Sequence, residues 1–271
     1  MGGQASKEAM SHLRFWWDVD ADGGSNMGAD ECLAMESQRR GGLLVRIYGW
    51  RSTTVSLGRF QKLEDARGVA GIGGVPLVRR PSGGGAIVHG SDLTYAAAVP
   101  KGHAWGASPQ RLYDAMHGAM AGVLATYGIP AMLHAAAPTA AGGRTEDEPF
   151  FCFDRRSAGD IVVGLGGRRP VKVMGSAQRR LEGVVLQHGS LLLRGNPDVT
   201  GGARHPGITD LPGFRGDPSD RRELPRRWLE RVAVDLGAEL VEEPEDFHRV
   251  AADELAELSR RFLDDGWTSR R

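Results

Sequence analysis

Cysteine is scarce in this chain, with only 2 among 271 residues, and no apolar run is long enough to cross a membrane. Two cysteines cannot form a disulfide framework, so the sequence predicts a protein of the reducing cytoplasm. A membrane-spanning helix needs about 20 mostly apolar residues, and a signal peptide needs a shorter apolar core, and neither pattern is present. No cluster of Cys and His has the spacing of a zinc site, so no metal is expected.

Neither sign of charge dominates the composition. The chain carries 34 Lys and Arg against 34 Asp and Glu, for a formal net charge of +0. Proteins that bind nucleic acids or anionic membranes usually present an excess of basic residues. The balance therefore argues against nucleic acid or membrane as the principal partner.

Glycine, by contrast, is abundant, with 39 residues, and it separates short apolar segments of strand length. The chain is long enough to bury a sizeable core. We therefore predict a single α/β (α+β) domain over residues 1–271, built on a mixed, largely antiparallel sheet with hairpin-linked strands and flanking helices. Residues 194–222 are predicted to be an irregular connection, and residues 223–271 are predicted to form helices that pack on the domain.

Two further helices are indicated by the residues at their starts. Ser25 or Asn26 is expected to cap the first, which would place Asp30 in its first turn near the positive end of the helix dipole. Ser108 is expected to cap the second, with Pro109 at the first helical position, where proline is favoured. Both helices are predicted to back the sheet.

A glycine-rich stretch, VRRPSGGGAIVHG at residues 78–90, is the first candidate for function. Three consecutive glycines leave the backbone bare, and the preceding arginines can donate charge-assisted hydrogen bonds. The stretch is either a cradle for a phosphate or an acyl carbonyl oxygen, or a plain hairpin. The candidate substrate-binding residues here are Arg79, Arg80, Ser82, Gly83, Gly84, Gly85 and His89.

The second candidate region runs from Phe151 to Leu193 and begins with a thiol, Cys152. A short apolar strand is predicted from Asp160 to Leu165, followed by a turn and a second strand that carries Lys172. That strand runs into small residues where backbone can approach a ligand closely. Residues 135–148 lack apolar periodicity and are predicted to form a mobile loop that delivers Cys152. The further candidates are Gly175, Ser176, Ala177, Gln178 and His188.

These residue types suggest acyl-transfer chemistry. A cation beside a thiol increases the thiolate fraction, so Lys172, assisted by Arg155 or Arg156, would activate Cys152. Backbone N–H groups around Gly175–Ala177 are candidates to stabilise the oxyanion. Lys172 could instead be an ordinary surface lysine.

Other reactive side chains in the sequence have alternative roles. His188 is either a general base or a structural hydrogen bonder, and Ser176 lacks the surroundings of a nucleophilic serine. Cys32 lies inside a predicted helix and is expected to be inert.

Several blocks of this chain, in order, resemble the biotin and lipoate ligase and octanoyltransferase superfamily. The two signature blocks are RRPSGGGAIVHG and KVMGSAQRR followed by GVVLQHGSLLL, and NMGADE and SLGRFQ precede them. Cys152, about twenty residues before Lys172, is similar to the cysteine of the cysteine-dependent octanoyltransferases. Two positions depart from the transferase pattern: Gly85 resembles the ATP-using ligases, and Gly90 stands where an acid is common.

The resemblance implies that the protein is an acyltransferase that needs no ATP, metal or other cofactor. It would move an octanoyl group from octanoyl-acyl carrier protein, through a thioester on Cys152, to a lysine of a lipoyl domain such as the glycine cleavage H protein. The alternatives are an ATP-dependent lipoate-protein ligase, an octanoyl-H protein:lipoyl-domain amidotransferase, and an acyl-binding regulator without catalytic activity.

Overall fold

A computed structural model of the chain describes residues 11–69, 71–135, 149–164, 169–196, 205–217 and 221–270. The strands are β1 Ser11–Trp17, β2 Leu43–Tyr48, β3 Thr54–Leu57, β4 Leu77–Arg79, β5 Ile87–His89, β6 Asp92–Pro100, β7 Ala131–Leu133, β8 Ile161–Val163, β9 Val171–Arg180, β10 Val184–Leu192 and β11 Ala238–Glu242. The helices are α1 Gly23–Arg40, α2 Leu63–Arg67, α3 Pro109–Thr126, α4 Glu223–Leu236, α5 Phe247–Val250, α6 Ala252–Leu263 and α7 Asp265–Thr268.

Eight strands in the described part of the chain form one mixed sheet, in the order β11-β1-β2-β6-β10-β9-β8-β7. The pairings from β2 through β6, β10, β9 and β8 to β7 are antiparallel, whereas β1 pairs in parallel with both β2 and β11. A smaller sheet of order β4-β3-β5 packs beside it. The structure therefore confirms the predicted mixed, largely antiparallel sheet with flanking helices.

The large sheet lies between two helical layers because alternate residues of its strands face opposite sides. On β6, Tyr95, Ala97 and Val99 face the core under α3 and α4, while Ala96 and Ala98 face the core under α1 and α6. All five side chains are fully buried. Such two-sided burial explains why these strands are continuously apolar in sequence.

The prediction that hairpins link the strands is wrong at the β1 edge of the sheet. The parallel partners β1 and β2 are joined through helix α1, as parallel neighbours require a crossover. Strands β9 and β10 do form a hairpin, closed by a hydrogen bond from the Leu181 N–H to the Val184 carbonyl oxygen. The predicted turn between β8 and β9, from Gly166 to Arg169, lies outside the described residues apart from Arg169.

Helix α3 starts as predicted, whereas α1 starts earlier than predicted. The Ser108 side chain accepts a hydrogen bond from the Arg111 N–H, and Pro109 is the first residue of α3. The N-cap of α1 is Asp22, whose side chain accepts from the Ser25 N–H at 2.9 Å. Asp30 consequently lies beyond the first turn, in the middle of a buried network described below.

The C-terminal region contains a strand that the sequence did not reveal. Helix α4 buries Trp228, Leu229 and Val232 as predicted, but β11 follows it and adds to the sheet beside β1. Helix α6 then packs on α1 through Leu255 and Phe262. Strand β11 has only 5 residues, and both of its exposed positions are Glu, so its sequence pattern gave little signal.

We expect thermal unfolding to show one cooperative transition, because both helical layers pack on the same strands and neither can keep its core without them. Differential scanning calorimetry measures this directly. Two well-separated transitions would contradict the prediction of a single domain.

None of the described helices combines the length and the apolar character required to cross a membrane. Among the same residues, no group of three or more His, Cys, Asp or Glu side chains is arranged to hold a metal ion.

Candidate active site

A cavity of about 420 Å³ lies where the small sheet meets strands β9 and β10. This volume is within the range of small-molecule sites. Most of the residues singled out in the sequence line it: Arg80, Gly83, Gly84, Gly85, His89, Cys152, Lys172, Gly175, Ser176, Ala177 and His188. Arg79, Ser82 and Gln178 do not line it.

Cys152 begins a short 3₁₀ turn, Cys152–Asp154, at the wall of this cavity. Its N–H donates to the Ala86 carbonyl oxygen at 2.8 Å, and the Ala86 N–H donates to the Phe150 carbonyl oxygen at 2.9 Å. The thiol segment is thus paired with the end of the glycine-rich stretch, in the manner of a parallel β-bridge. The predicted mobile loop before it falls on residues 136–148, outside the described residues, apart from Ala135.

Gly85 is required by this pairing. A Cβ at position 85 would lie 2.7 Å from the Cys152 backbone nitrogen and 2.8 Å from the Phe150 carbonyl oxygen. Both are main-chain atoms, so they cannot move without displacing the thiol segment. The third glycine is therefore explained by the close approach of two backbones.

We expect Gly85→Ala to lower activity at least tenfold, because a shift of about 1 Å at a reacting group can cost about a hundredfold in rate. Steady-state kinetics of the purified variant test this, with circular dichroism as the folding control. Gly102→Ala is the matched control, since a Cβ there meets no atom within 4 Å. Unchanged kinetics in Gly85→Ala would show that the backbone can adjust.

Lys172 lies beside the thiol. Its Nζ is 3.6 Å from the Cys152 Sγ, 3.4 Å from the Cys152 carbonyl oxygen and 2.8 Å from Asp160 Oδ2. Burial alone would lower the pKa of Lys172, but the negative charges of Cys152 and Asp160 outweigh it and the pKa is raised. The ammonium therefore stays charged and stabilises negative charge on the sulfur.

Asp160 is a site residue that the sequence did not single out, because it only appeared as the start of an apolar strand. Its carboxylate accepts from the Ser157 N–H at 2.7 Å and from the Tyr113 hydroxyl at 3.2 Å, and it is 1% exposed. These bonds fix the carboxylate, which in turn fixes the Lys172 ammonium. A Cβ on Gly175 would lie 2.6 Å from the Lys172 Nζ, so glycine there leaves room for this ion pair.

The two arginines before the glycines hold protein backbone, which differs from the expected role of donating to a ligand. Arg80 donates to the carbonyl oxygens of Gly83 and Gly85, at 2.9 and 2.6 Å, and to Ser56. Burial lowers its pKa to about 10. Arg79 donates to the carbonyl oxygens of Gln61 and Thr268, at 2.7 and 2.9 Å. The arginines thereby shape the glycine-rich stretch.

His89 belongs to a buried network at the wall of the cavity. Its Nδ1 is 2.8 Å from Asp92 Oδ2, its Nε2 is 2.8 Å from the Ser56 Oγ, and its ring stacks on Trp50 with centroids 3.9 Å apart. Trp50 in turn donates to the Thr94 hydroxyl at 2.9 Å. His89 thus orients Trp50 and is not in contact with the thiol.

His188 is likewise engaged away from the thiol. Its Nδ1 is 3.1 Å from Asp30 Oδ2, and its Nε2 hydrogen-bonds to Ser82. Asp30 also accepts from the Tyr48 hydroxyl and forms a fully buried ion pair with Arg46 at 2.6 Å. Of the two roles considered for His188, the contacts favour the structural one.

A chain of hydrogen bonds lies behind β9. Its central residue is His117, which was not identified as a site residue from the sequence. The Nδ1 of His117 faces the Gly159 carbonyl oxygen at 2.7 Å, so this nitrogen donates and Nε2 accepts from the Ser176 hydroxyl at 2.6 Å. Ser176 accepts from Tyr95 at 2.7 Å. Burial lowers the pKa of His117 to about 4, so the ring is neutral. The chain anchors β9 rather than the thiol.

Gln178 and Gly189 complete this packing. Gln178 donates to the Gln187 side chain at 2.7 Å, and Gln187 donates to the Tyr95 hydroxyl at 2.7 Å. A Cβ on Gly189 would lie 2.2 Å from the Ser176 Oγ, so glycine there allows Tyr95 and Ser176 to meet across β10. Gln178 therefore supports the site from outside the cavity.

One side of the cavity is apolar, and its residues were not named as site residues from the sequence. It is formed by Met27, Tyr48, Trp50 and Ile87, which come from four separate elements or loops. Seven methylene-sized groups of an eight-carbon acyl chain would gain about 5 kcal/mol on full burial, at ~0.8 kcal/mol each. An apolar wall close to the Cys152 thiol and the Lys172 amine is thus suited to a medium-chain acyl thioester.

The second cysteine is placed as expected. Cys32 is buried within α1, and burial raises the pKa of its thiol to about 12. Cys152 is only partly buried and lies against a cation. The chemistry of the two thiols therefore differs strongly.

Comparison with known proteins finds octanoyltransferases among the relatives of this chain. Octanoyltransferase LipM of Symbiobacterium thermophilum is 38% identical over 182 residues, which cover 63% of this chain and 61% of that protein. Octanoyltransferase LipM of Bacillus subtilis is 32% identical, with 93% of this chain and 86% of that protein covered. The match to the first of these relatives thus spans less than two thirds of its length.

Similarity in structure extends over nearly the whole chain. A bi-partite lipoate protein ligase from Thermoplasma acidophilum, solved in a study with its E2 lipoyl domain, superposes with a TM-score of 0.69 at 17% identity, covering 96% of this chain and 97% of that one. At such low identity the likeness supports the fold alone. In sequence, residues 22–207 match the family described as Lipoyl protein ligase A/B catalytic domain. Because this match covers more than half of the chain, the protein belongs to the lipoyl protein ligase A/B catalytic domain family.

Proposed function

We propose that the protein is a cysteine-dependent octanoyltransferase of protein lipoylation. In this proposal an octanoyl group passes from octanoyl-acyl carrier protein to the Cys152 thiolate, and then to a lysine of a lipoyl domain such as the glycine cleavage H protein. The observation that carries the proposal is the 3.6 Å contact between the Cys152 Sγ and the Lys172 Nζ at an apolar-walled cavity. The octanoyltransferase names of the relatives support it.

The first half-reaction exchanges one thioester for another. The Cys152 thiolate attacks the donor carbonyl carbon, a tetrahedral oxyanion forms, and the donor leaves as its thiolate and takes up a proton from water. The Lys172 ammonium is one candidate hydrogen-bond donor to the oxyanion. The others are backbone N–H groups along Gly175–Ala177, which follow Met174, the last residue of β9 that pairs with β8. No nucleotide is required, because the acyl group is already activated.

The second half-reaction forms an amide. The neutral amine of the acceptor lysine attacks the Cys152 thioester and the C–N bond forms. The C–S bond then breaks, Cys152 leaves as the thiolate, and the amine proton passes to water. Amide formation from a thioester is downhill. Throughout, Asp160 keeps the Lys172 ammonium in place, so the same cation stabilises charge in both steps. A free thiol of this kind persists in the reducing cytoplasm, where we place the reaction.

The test separates transfer from ATP-dependent ligation. We expect the purified protein to modify a lipoyl domain with octanoyl-acyl carrier protein in the absence of ATP, as measured by mass spectrometry. Pyrophosphate exchange into ATP with octanoate or lipoate should be absent. Exchange activity without ATP-free transfer would establish the ligase alternative, and acyl binding without either would favour a regulator.

The identity of the donor is tested in parallel. Octanoyl-acyl carrier protein holds its octanoyl group as a thioester, whereas octanoyl-H protein holds it as an amide. The amide is the harder bond to break. We expect faster acylation of Cys152 from the carrier-protein thioester. Faster acylation from octanoyl-H protein would make the amidotransferase alternative correct.

A further inference from the structure

A second, smaller cavity of about 120 Å³ adjoins the site on the other side of Lys172. One water needs about 15 Å³ of such space, so the cavity can hold a group larger than water. It shares Asp154, Arg156, Arg169 and Lys172 with the main cavity. The remaining wall residues are Phe153, Val171, His205 and Pro206.

The charged groups around this smaller cavity are unevenly paired. Lys172 is paired with Asp160, and Asp154 lies 2.9 Å from the His205 Nε2. For Arg156 and Arg169, in contrast, no carboxylate of the described residues lies within ion-pairing distance. In the described part of the chain, Arg156, Arg169 and Lys172 thus face only two carboxylates, those of Asp154 and Asp160, so positive charge is in excess at this cavity.

Arg156 also carries an unsatisfied donor. Its Nη2 donates to the Pro170 carbonyl oxygen, but its Nε is buried and meets no hydrogen-bond acceptor in the part of the chain that the structure describes. Burial and the nearby Arg169 lower the pKa of Arg156, and the more distant carboxylates of Asp154 and Asp160 offset this only in part. Buried donors in native proteins are normally paired, so a ligand oxyanion is the natural acceptor.

We propose that Arg156 and Arg169 bind a carboxylate of the acyl acceptor, carried by an Asp or Glu next to the lysine that is modified. The inference rests on the proposed function, since it assumes that an acceptor lysine reaches Cys152. The Lys172 Nζ lies 3.6 Å from the Cys152 Sγ, and Lys172 also lines the smaller cavity. The reacting sulfur and the smaller cavity are therefore close together.

The dimensions of an acceptor chain fit this placement. A lysine side chain extends about 6 Å from its Cα, and the next Cα along the chain is about 3.8 Å away. When the lysine amine attacks the thioester, a carboxylate on a neighbouring residue can therefore reach the smaller cavity beside Lys172. An anionic group at the far end of a long, flexible donor arm would instead lie well outside this smaller cavity.

The experiment measures a preference between two acceptors. Octanoyl-enzyme is prepared first, from the small uncharged donor octanoyl-N-acetylcysteamine, and is then offered synthetic peptides whose lysine is flanked by Glu on both sides or by Gln on both sides. We expect the wild-type protein to prefer the Glu peptide by about tenfold in kcat/KM, as one charge-assisted contact allows. The preference should vanish in Arg156→Gln/Arg169→Gln.

Because the preference is a ratio within each protein, a general loss of activity or stability in the double variant cancels. Arg180→Gln is the matched control, since Arg180 is exposed at the far end of β9 and lines neither cavity, and it should retain the preference. Equal use of both peptides by the wild type, or an undiminished preference in the double variant, would overturn the proposal.

Two further outcomes are distinguishable. If the double variant loses acylation by octanoyl-acyl carrier protein but not by octanoyl-N-acetylcysteamine, the arginines serve the phosphate of the donor, and the acceptor proposal is wrong. If Cys152 acquires no octanoyl group from any donor in the wild-type protein, the proposed function is wrong. The assignment of the smaller cavity, which rests on that function, is then wrong as well.

Discussion

Incubation of the protein with octanoyl-acyl carrier protein, without ATP or acceptor, is expected to add one octanoyl mass to Cys152, and Cys152→Ser is expected to abolish that adduct. The reason is the placement of the Cys152 Sγ 3.6 Å from the Lys172 ammonium at the wall of the cavity. Thiolate attack on a thioester leaves an enzyme thioester. Intact-protein mass spectrometry before and after hydroxylamine, which cleaves thioesters, provides the measurement.

Cys32→Ser is the matched control for this prediction. Cys32 is 4% exposed and its pKa is raised to about 12 by burial, so its loss should leave the adduct unchanged. Overall transfer by Cys152→Ser should fall by at least about a thousandfold, because a hydroxyl without an activating base is a weak nucleophile. An undiminished adduct in Cys152→Ser would show that another group carries the acyl chain.

Removal of the Lys172 charge is expected to slow acyl transfer by a factor of about 10²–10³, the usual effect of losing one preorganised donor to an oxyanion. From the sequence alone we would expect Lys172→Ala to fold with nearly unchanged stability. The structure alters this expectation, because Lys172 is buried and paired with buried Asp160 at 2.8 Å. Truncation would leave the carboxylate buried without its counter-charge, at a cost of about 3–5 kcal/mol.

A double variant separates chemistry from stability. In Lys172→Met/Asp160→Asn both charges are removed together, which is often close to neutral for stability in buried pairs. We expect Lys172→Ala to melt on the order of 10 °C below wild type and the double variant to melt much closer to it. Both should transfer octanoyl groups about 10²–10³ times more slowly than wild type. A double variant that transfers octanoyl groups at the wild-type rate would remove Lys172 from the mechanism.

The glycine-rich stretch illustrates how far local sequence could lead. The three consecutive glycines indicated that the backbone there passes close to another group. The structure shows that this group is the Cys152 segment, where the Cys152 N–H donates to the Ala86 carbonyl oxygen. The sequence did not predict which groups the two arginines bind. Whether a guanidinium points at a ligand or at carbonyl oxygens of its own loop depends on the folded path of the chain, and Arg80 binds Gly85.

Asp160, His117 and Trp50 show what remained hidden. Each stands in an ordinary local context, at the start of a strand, within a helix or in a turn, and each acquires its role from a partner 12 or more residues away: Lys172, Ser176 and His89. Strand β11 was missed for a related reason, since its pairing with β1 joins residues more than 220 positions apart. No periodicity within a short window reports such contacts.

The sequence by itself determined the residue types of the chemistry, the start of helix α3 at Ser108, the alternation that buries the central strands and the family to which the motifs belong. These are local properties, fixed by hydrophobic periodicity, capping residues and glycine. Only the tertiary structure decided that Lys172 is paired with Asp160 beside Cys152, that His89 and His188 are bound to Asp92 and Asp30, and that Arg156 retains an unsatisfied donor. The charge state and orientation of a side chain depend on burial and on partners brought together by folding, and these are set by the whole chain.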